Sequence, residues 1–275
     1  MRKLGLIAGA GGLPISVAGH CRSAGRPLFV IRLKGFAAPE LASFDGADVG
    51  LAELGKGFDA LKRAGCEAVS FAGVVTRPHF PSLVPDLRGL AALPGAVIAA
   101  RRGDDALLTF LIREFEKEGF AVEGTHEVMA ELVLPAGTLG RHAPRAEHAL
   151  DIERALEVAR AMGALDVGQG AVCCDGLILA VEAQEGTDAM LQRVAGLPQA
   201  IRGDAGRLCG VLAKASKPGQ EARVDLPTIG ATTLRHAADA GLIGIVGEAG
   251  RVLVIDRPAV TRLADELGLF ILGAP

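Results

Sequence analysis

Tryptophan and tyrosine are absent from this 275-residue chain, and phenylalanine occurs only ten times. A chain so poor in aromatic faces lacks the stacking platforms on which single-stranded nucleic acids are held. It also lacks an excess of charge: 29 lysines and arginines stand against 32 aspartates and glutamates, for a net −3. No broad basic footprint for DNA or RNA is present, although a few local cations would suffice for a phosphate-bearing small molecule. No run approaches the roughly 18 consecutive apolar residues of a membrane span. The five cysteines show no CxxC or metal-finger spacing, Cys173 and Cys174 are adjacent, and an odd number makes a poor disulfide framework. They read as small buried apolar residues in a reducing cytosol. The six histidines form no HExxH pair, and no G-x-S-x-G elbow supports a serine triad.

Half of the residues are hydrophobic, ample for two cores in a chain of this length. Residues 1–133 alternate strand and helix signals: "KLGLIA", a helix over Ile15–Ala24 stopped by Gly25, "PLFVIRL", "DVGLAEL", a short helix over Phe58–Ala64 and "AVSFAGVV". Strands alternating with helices predict βαβ units in a mostly parallel, Rossmann-like sheet. From Asp104 to Glu118, Leu107, Leu108, Leu111, Ile112 and Phe115 share one helical face that ends at Gly119. Residues 134–148 are rich in Gly and Pro and lack periodicity, which marks a linker. Residues 149–275 then predict a mixed α/β domain with antiparallel pieces: a helix over Ala149–Met162, a hairpin "AVCCDGLILAVEA" turning at Asp175-Gly176, and a second hairpin "LIGIVGEAGRVLVID". Arg2 and Lys3 before an apolar stretch imitate a signal peptide, but the glycines among residues 9–12 and Pro14 break such a segment.

Several motifs carry chemistry. "IAGAGGLP", residues 7–14, lies between a strand and a helix, where backbone N–H groups and the helix dipole suit a phosphate oxygen. The other reading is a turn that needs positive φ. Pro14 replaces the third glycine of the dinucleotide fingerprint, and Arg32 and Lys34 stand where an acid would hold a ribose, which weakens an NAD reading. "GLAELGKG" imitates a P-loop as far as Lys56 but has Gly57 where a hydroxyl should hold Mg²⁺. Asp104 and Asp105 read as an N-cap and a first-turn acid, or as a carboxylate pair for a divalent cation. Glu182, Glu185 and Asp188 gather at a strand end beside a glycine turn. That pattern serves helix capping by Thr187 or Asp188 as well as a hard-metal or hydroxyl site. Lys214, Lys217, Arg223 and Asp225, followed by Pro227, Thr228 and Gly230, place cations and an acid on an irregular segment, as phosphoryl chemistry requires. A solvated loop is the alternative.

Taken together and in order, "IAGAGGLP", "FAGVVTRP", "RRGDDALL", "EAQEGTDAM" and "RVDLPTIG" resemble the UDP-2,3-diacylglucosamine pyrophosphatases of bacterial lipid A biosynthesis, the type unrelated to the metallophosphoesterase version. The resemblance covers essentially the whole chain. It implies a cytoplasmic, Mg²⁺-dependent hydrolase of two α/β domains that cuts UDP-2,3-diacylglucosamine into UMP and 2,3-diacylglucosamine 1-phosphate. Water would attack the phosphorus nearer the sugar, with the acid of "RVDLPTIG", Asp225, essential. On this reading Gly11, Gly12 and Leu13 contact the nucleotide or its phosphates, Gly73 and Val74 border the same crevice, and Thr187, Asp188 and Lys214 face it from the second domain. Lys217, Arg223 and Thr228 complete the substrate contacts, and Asp225, Asp188 and Glu185 are the expected Mg²⁺ ligands. The lipid-linked sugar nucleotide is the expected partner, with no nucleic acid. An amphiphilic substrate allows peripheral association at the inner face of the inner membrane, although no basic amphipathic helix marks it, and a homodimer stays open. The alternatives are an NAD-linked oxidoreductase and a two-domain, non-enzymatic binding protein, conceivably exported.

Overall fold

A computed structural model describes residues 1–76, 79–204, 206–217, 223 and 226–275. The chain divides into two compact units. The first contains Met1–Ala130 with Arg223, the second the described residues of 131–220 and 226–275.

The first unit is built from β1 (Leu4–Ala8), α1 (Leu13–Ser23), β2 (Leu28–Leu33), β3 (Gly46–Val49), α2 (Leu54–Arg63), β4 (Ala68–Ala72), α3 (Leu87–Ala100), α4 (Asp104–Lys117), β5 (Ala121–Val122) and the single turn α5 (Thr125–Val128). Its sheet has the order β3-β2-β1-β4-β5 with every pairing parallel. Strand β1 is buried along its whole length, which explains its unbroken apolar sequence: a central parallel strand meets protein on both faces. The scarce phenylalanines concentrate here. Phe58 and Phe71 each meet Phe115 edge-on, at 4.9 and 5.0 Å between ring centres, the arrangement favoured by the ring quadrupole.

The α4 face expected from periodicity is buried only at its far end, at Ile112 and Phe115; Leu107, Leu108 and Leu111 are half-buried. Helix α3, which lay outside the sequence expectations, packs beside it. A β-carbon at Gly95 would lie 2.7 Å from the Phe110 ring. Asp104 and Asp105 are first-turn residues and Gly103 holds the N-cap position, so neither aspartate is the cap.

The second unit contains β6 (Gly137–Leu139), α6 (Ala149–Ala164), β7 (Gly170–Cys174), β8 (Leu177–Val181), α7 (Gly186–Ala195), β9 (Val211–Lys214), β10 (Thr228–Ile229), α8 (Ala231–Asp239), β11 (Gly244–Glu248), β12 (Leu253–Val254), α9 (Arg257–Leu267) and β13 (Phe270–Ala274). Six strands form a mixed sheet of order β6-β13-β11-β9-β7-β8. Strands β9, β11 and β13 run parallel, and β7 and β8 form the expected hairpin.

Two expectations are corrected. Residues 134–148 are not a linker: Leu134 is fully buried, and β6 pairs antiparallel with the edge of β13. A three-residue edge strand among Gly and Pro is too short to show periodicity. The second hairpin does not form either. Both edges of β11 are taken, by β9 and β13, so the following apolar run turns away after Arg251 N–H bonds the Glu248 carbonyl. It pairs instead as β12 with β10.

Arg88 on α3 bonds Glu114 at 2.7 Å and Glu118 at 3.2 Å. The Glu114 carboxyl is held below its ordinary range: burial pushes it up, but hydrogen bonds from Lys117 and Arg88 outweigh that. Glu118 is lowered chiefly by Lys62. Carboxyls depressed on folding stabilise the fold above their unfolded pKa, about 4.3 for Glu, and that contribution is lost as pH falls through the folded value. The melting temperature followed by circular dichroism is therefore expected to drop as pH is lowered below about 4, with a shallower drop in Arg88→Gln.

Candidate functional site

The glycine loop of the first unit is laced to the end of β4. Ala10 N–H donates to the Val74 carbonyl at 2.8 Å, and Val74 N–H donates back to Ala10 at 2.9 Å. Gly73, at φ +92°, sits so close that a β-carbon would come within 2.5 Å of the Ala10 carbonyl oxygen and 2.8 Å of Pro14 Cγ. The close approach that a third glycine of a dinucleotide loop would allow on the helix is here supplied by Gly73, against a buried Pro14. Gly11, at φ +90°, and Gly12 are exposed and Leu13 is half-buried. Gly12 is the N-cap of α1 and bears no side-chain cap, so the first-turn N–H groups have no partner within the helix. Gly73 and Val74 thus stand beside Gly11, Gly12 and Leu13, between adjacent strands β1 and β4, where the sheet order reverses direction. Ligands of open parallel sheets bind at such a point.

The position at the end of β2 favours no ribose. Arg32 is paired with Asp48 at 2.7 Å and Lys34 with Glu53 at 2.9 Å. Glu53 also accepts a hydrogen bond from Gly50 N–H, which with Lys34 lowers its carboxyl to about 2. Lys56 turns to the same carboxylate, 3.6 Å away. The P-loop imitation is thereby an ion-pair cluster at the start of α2.

In the second unit, Lys214 is only 5% exposed. Its ammonium donates to Thr187 Oγ1 at 2.6 Å and lies 3.8 Å from Glu182 Oε2. The Thr187 hydroxyl in turn donates to Glu182 Oε1 at 3.0 Å. Lys214 ends β9, Glu182 follows β8 and Thr187 begins α7, so three elements converge on one buried cation. In the sheet Lys214 pairs with Gly170, and a β-carbon there would sit 2.5 Å from Glu182 Oε2. That glycine makes the space the carboxylate fills. Glu182 Oε2 is buried without a hydrogen-bond partner among the described residues. Glu182 was visible in the sequence as one acid of a cluster; its pairing with a residue 32 positions away was not.

The other expected residues have neighbours of their own. Asp188, on the first turn of α7, lies 3.5 Å from His236 Nδ1. Lys217 is tied to Asp166 at 2.6 Å. Thr228 begins β10 and is half-buried. Arg223 belongs to the first unit and bonds Glu116 at 3.0 Å. Asp225 lies outside the described residues.

Of the expected Mg²⁺ ligands, Glu185 and Asp188 are described, and each is paired within the second unit. Glu185 is the N-cap residue of α7, and its carboxylate turns to Arg193. Hydrogen bonds from its own backbone N–H and from Arg193 hold that carboxyl below the ordinary range. Among the described residues one group of metal-ligating side chains does converge, Cys174, Asp175 and Cys209. Its two thiols, 2.7 Å apart, are soft donors, and its carboxylate is paired with Arg207. Mg²⁺ takes hard oxygen ligands, so this group does not fit it.

Gly73→Ala is expected to lower stability by about 1–3 kcal/mol, the cost of positive φ in a residue with a β-carbon, and more if the β1 and β4 loops are forced apart. Thermal denaturation monitored by circular dichroism measures it.

Comparison with known proteins accords with this architecture. Residues 3–132 match the family model of the LpxI N-terminal domain, and residues 135–272 match that of the LpxI C-terminal domain. The UDP-2,3-diacylglucosamine pyrophosphatase LpxI of Caulobacter vibrioides is 63% identical over 273 residues, covering 99% of this chain and 98% of that protein. Two domain models in tandem and a relative matched almost end to end leave one assignment: the chain belongs to the LpxI family.

Proposed function

We propose that this protein hydrolyses the diphosphate bond of UDP-2,3-diacylglucosamine, releasing UMP and 2,3-diacylglucosamine 1-phosphate. The observation that carries the reading is 63% identity, over nearly the full length, to a pyrophosphatase named for that substrate. The geometry of each unit supports it. The first presents a glycine loop at the carboxyl ends of parallel strands β1 and β4, suited to a nucleotide phosphate. The second presents a buried lysine whose charge opposes anionic oxygens.

Water attacks the phosphorus nearer the sugar. Its oxygen forms the new P–O bond, the bridging P–O bond breaks, and UMP leaves with the bridging oxygen. Charge accumulates on the non-bridging oxygens during this displacement, and a cation fixed in advance stabilises it without reorganisation. Lys214, oriented by Thr187 and Glu182, is the group of the second unit assigned that role. Asp225 is assigned either the activation of water or the binding of Mg²⁺, on the strength of the "RVDLPTIG" motif. We further propose that turnover requires Mg²⁺ and takes place in the cytoplasm. Glu185 and Asp188, with Asp225, are the acids assigned to hold the ion, which would screen the charge of the diphosphate. Among the described residues no helix is long and apolar enough to cross a membrane.

The purified protein is expected to release UMP from UDP-2,3-diacylglucosamine, and to cease when EDTA removes Mg²⁺. In ¹⁸O-labelled water the label is expected in the sugar phosphate and not in UMP. Unlabelled sugar phosphate, or no UMP at all, overturns the reading. Asp225→Ala is expected to abolish turnover with the melting temperature unchanged. Thr187→Val removes the acceptor of a buried ammonium, at an expected cost of about 1–3 kcal/mol in stability. It should also reduce turnover, with both recovered in Thr187→Ser.

A further inference from the structure

Helix α3 buries Gly89, Ala92 and Ala100, half-buries Leu93 and Val97, and leaves Leu87, Leu90 and Ile98 exposed. An ordinary surface helix turns its large apolar residues inward. On the packed side a β-carbon at Gly89 would lie 1.8 Å from the Ala52 carbonyl oxygen, Ala92 is buried, and Gly95 meets the Phe110 ring. On the open side Leu87 is 89% exposed, and Leu90 and Ile98 are each 57% exposed. Pro94 is exposed between them. The spacing 87, 90, 94, 98 keeps one face over most of the helix, a stripe about 17 Å long at 1.5 Å per residue. The sole charged side chain of the helix, Arg88, is turned to Glu114 and Glu118, so the stripe carries no charge. Arg101, the C-cap residue, and Arg102, in the turn after it, are both exposed and follow the stripe in the chain. Val84, just before the helix, is 84% exposed and extends the apolar surface at the other end.

An exposed apolar stripe of this kind marks an interaction surface. Its occupant is chosen by two features. The stripe is closed at one end by two adjacent exposed cations and has no acid among its own residues, Asp104 and Asp105 being half-buried at the start of α4. Its end is therefore complementary to the phosphates of an anionic leaflet. The proposed substrate, moreover, carries two acyl chains, which partition into bilayers. We propose that α3 is the surface by which this protein docks on an anionic lipid bilayer. Leu87, Leu90 and Ile98 enter the boundary between headgroups and acyl chains, while Arg101 and Arg102 contact lipid phosphates. The helix lies in the plane of the interface, as monotopic amphipathic helices do. This inference deepens the proposed function and rests on it for the identity of the lipid substrate, but not for the binding itself.

The test sediments the full-length protein with vesicles of phosphatidylcholine, alone or mixed with phosphatidylglycerol. Wild type is expected to co-sediment with the mixed vesicles and to be released by salt. Leu90→Gln combined with Ile98→Gln should weaken partitioning by about tenfold or more, as two apolar anchors become polar. Arg101→Gln with Arg102→Gln should abolish the preference for phosphatidylglycerol. Melting temperatures verify that both variants fold. The Leu90/Ile98 variant should hydrolyse UDP-2,3-diacylglucosamine dispersed in detergent at the wild-type rate, and substrate embedded in vesicles more slowly. Wild type that ignores vesicles, or variants that bind them equally, overturn the docking surface even if detergent activity is intact. Loss of a dimer in the Leu90/Ile98 variant without loss of vesicle binding also overturns it, assigning the stripe to a second copy. Absence of detergent activity in wild type sinks the proposed function instead and leaves the binding result to stand alone.

Discussion

Where the backbone of Gly73 passes Pro14, a β-carbon would come within 2.8 Å of the proline ring and 2.5 Å of the Ala10 carbonyl oxygen. Much of the first unit depends on that approach. It lets the loop after β4 exchange two backbone hydrogen bonds with the loop after β1, beyond the last paired residues of those strands. The start of α1 is thus tied to the sheet from outside the helix. Pro14 supplies the second half of the constraint: its fixed φ suits the first turn, and the N–H it lacks has no intrahelical acceptor to lose. Gly9 and Pro14 are buried in this contact, while Gly11 and Gly12 stay exposed.

In the second unit the corresponding constraint is a buried positive charge. Placing Lys214 in a sheet interior would be costly unless its ammonium were both paired and hydrogen-bonded. Thr187 provides the hydrogen bond and Glu182 the charge. A neighbouring strand gives up its side chain, at Gly170, to make room for that carboxylate. Arrangements of this kind are rigid. Each member holds another, and a cation so held presents its field at a fixed point rather than sweeping through solvent as a surface lysine does.

Periodicity made the alternation of strands and helices in the first unit legible, because a buried parallel sheet writes itself as unbroken apolar runs. The β7–β8 hairpin was legible for an equally local reason, the Asp-Gly turn. The second expected hairpin failed because local sequence cannot report that both edges of β11 are already taken. Helix α3 escaped notice since Gly89, Pro94 and Gly95 disrupt the usual helix signals; those glycines are there for close packing against Ala52 and Phe110. Residues Gly11 to Leu13 and Gly73 to Val74 were legible as strand-end loops, and backbone bonds between Ala10 and Val74 tie those two loops together. The link from Lys214 to Thr187 and Glu182 spans 27 and 32 positions. Only the sheet, which seats Gly170 beside Lys214, makes it visible.

All five thiols are enclosed, Cys21 and Cys66 in the first unit, and Cys173, Cys174 and Cys209 in the second. Burial, with a hydrogen bond to Asp151, pushes the Cys173 thiol up to about 12, and burial raises the others as well. A buried, protonated thiol is inert to alkylation until its surroundings open. The molecule therefore carries its own stopwatch for each half. Labelling of the Cys21 and Cys66 peptides times the opening of one unit, labelling of the other three times the opening of its neighbour, and neither needs an engineered probe.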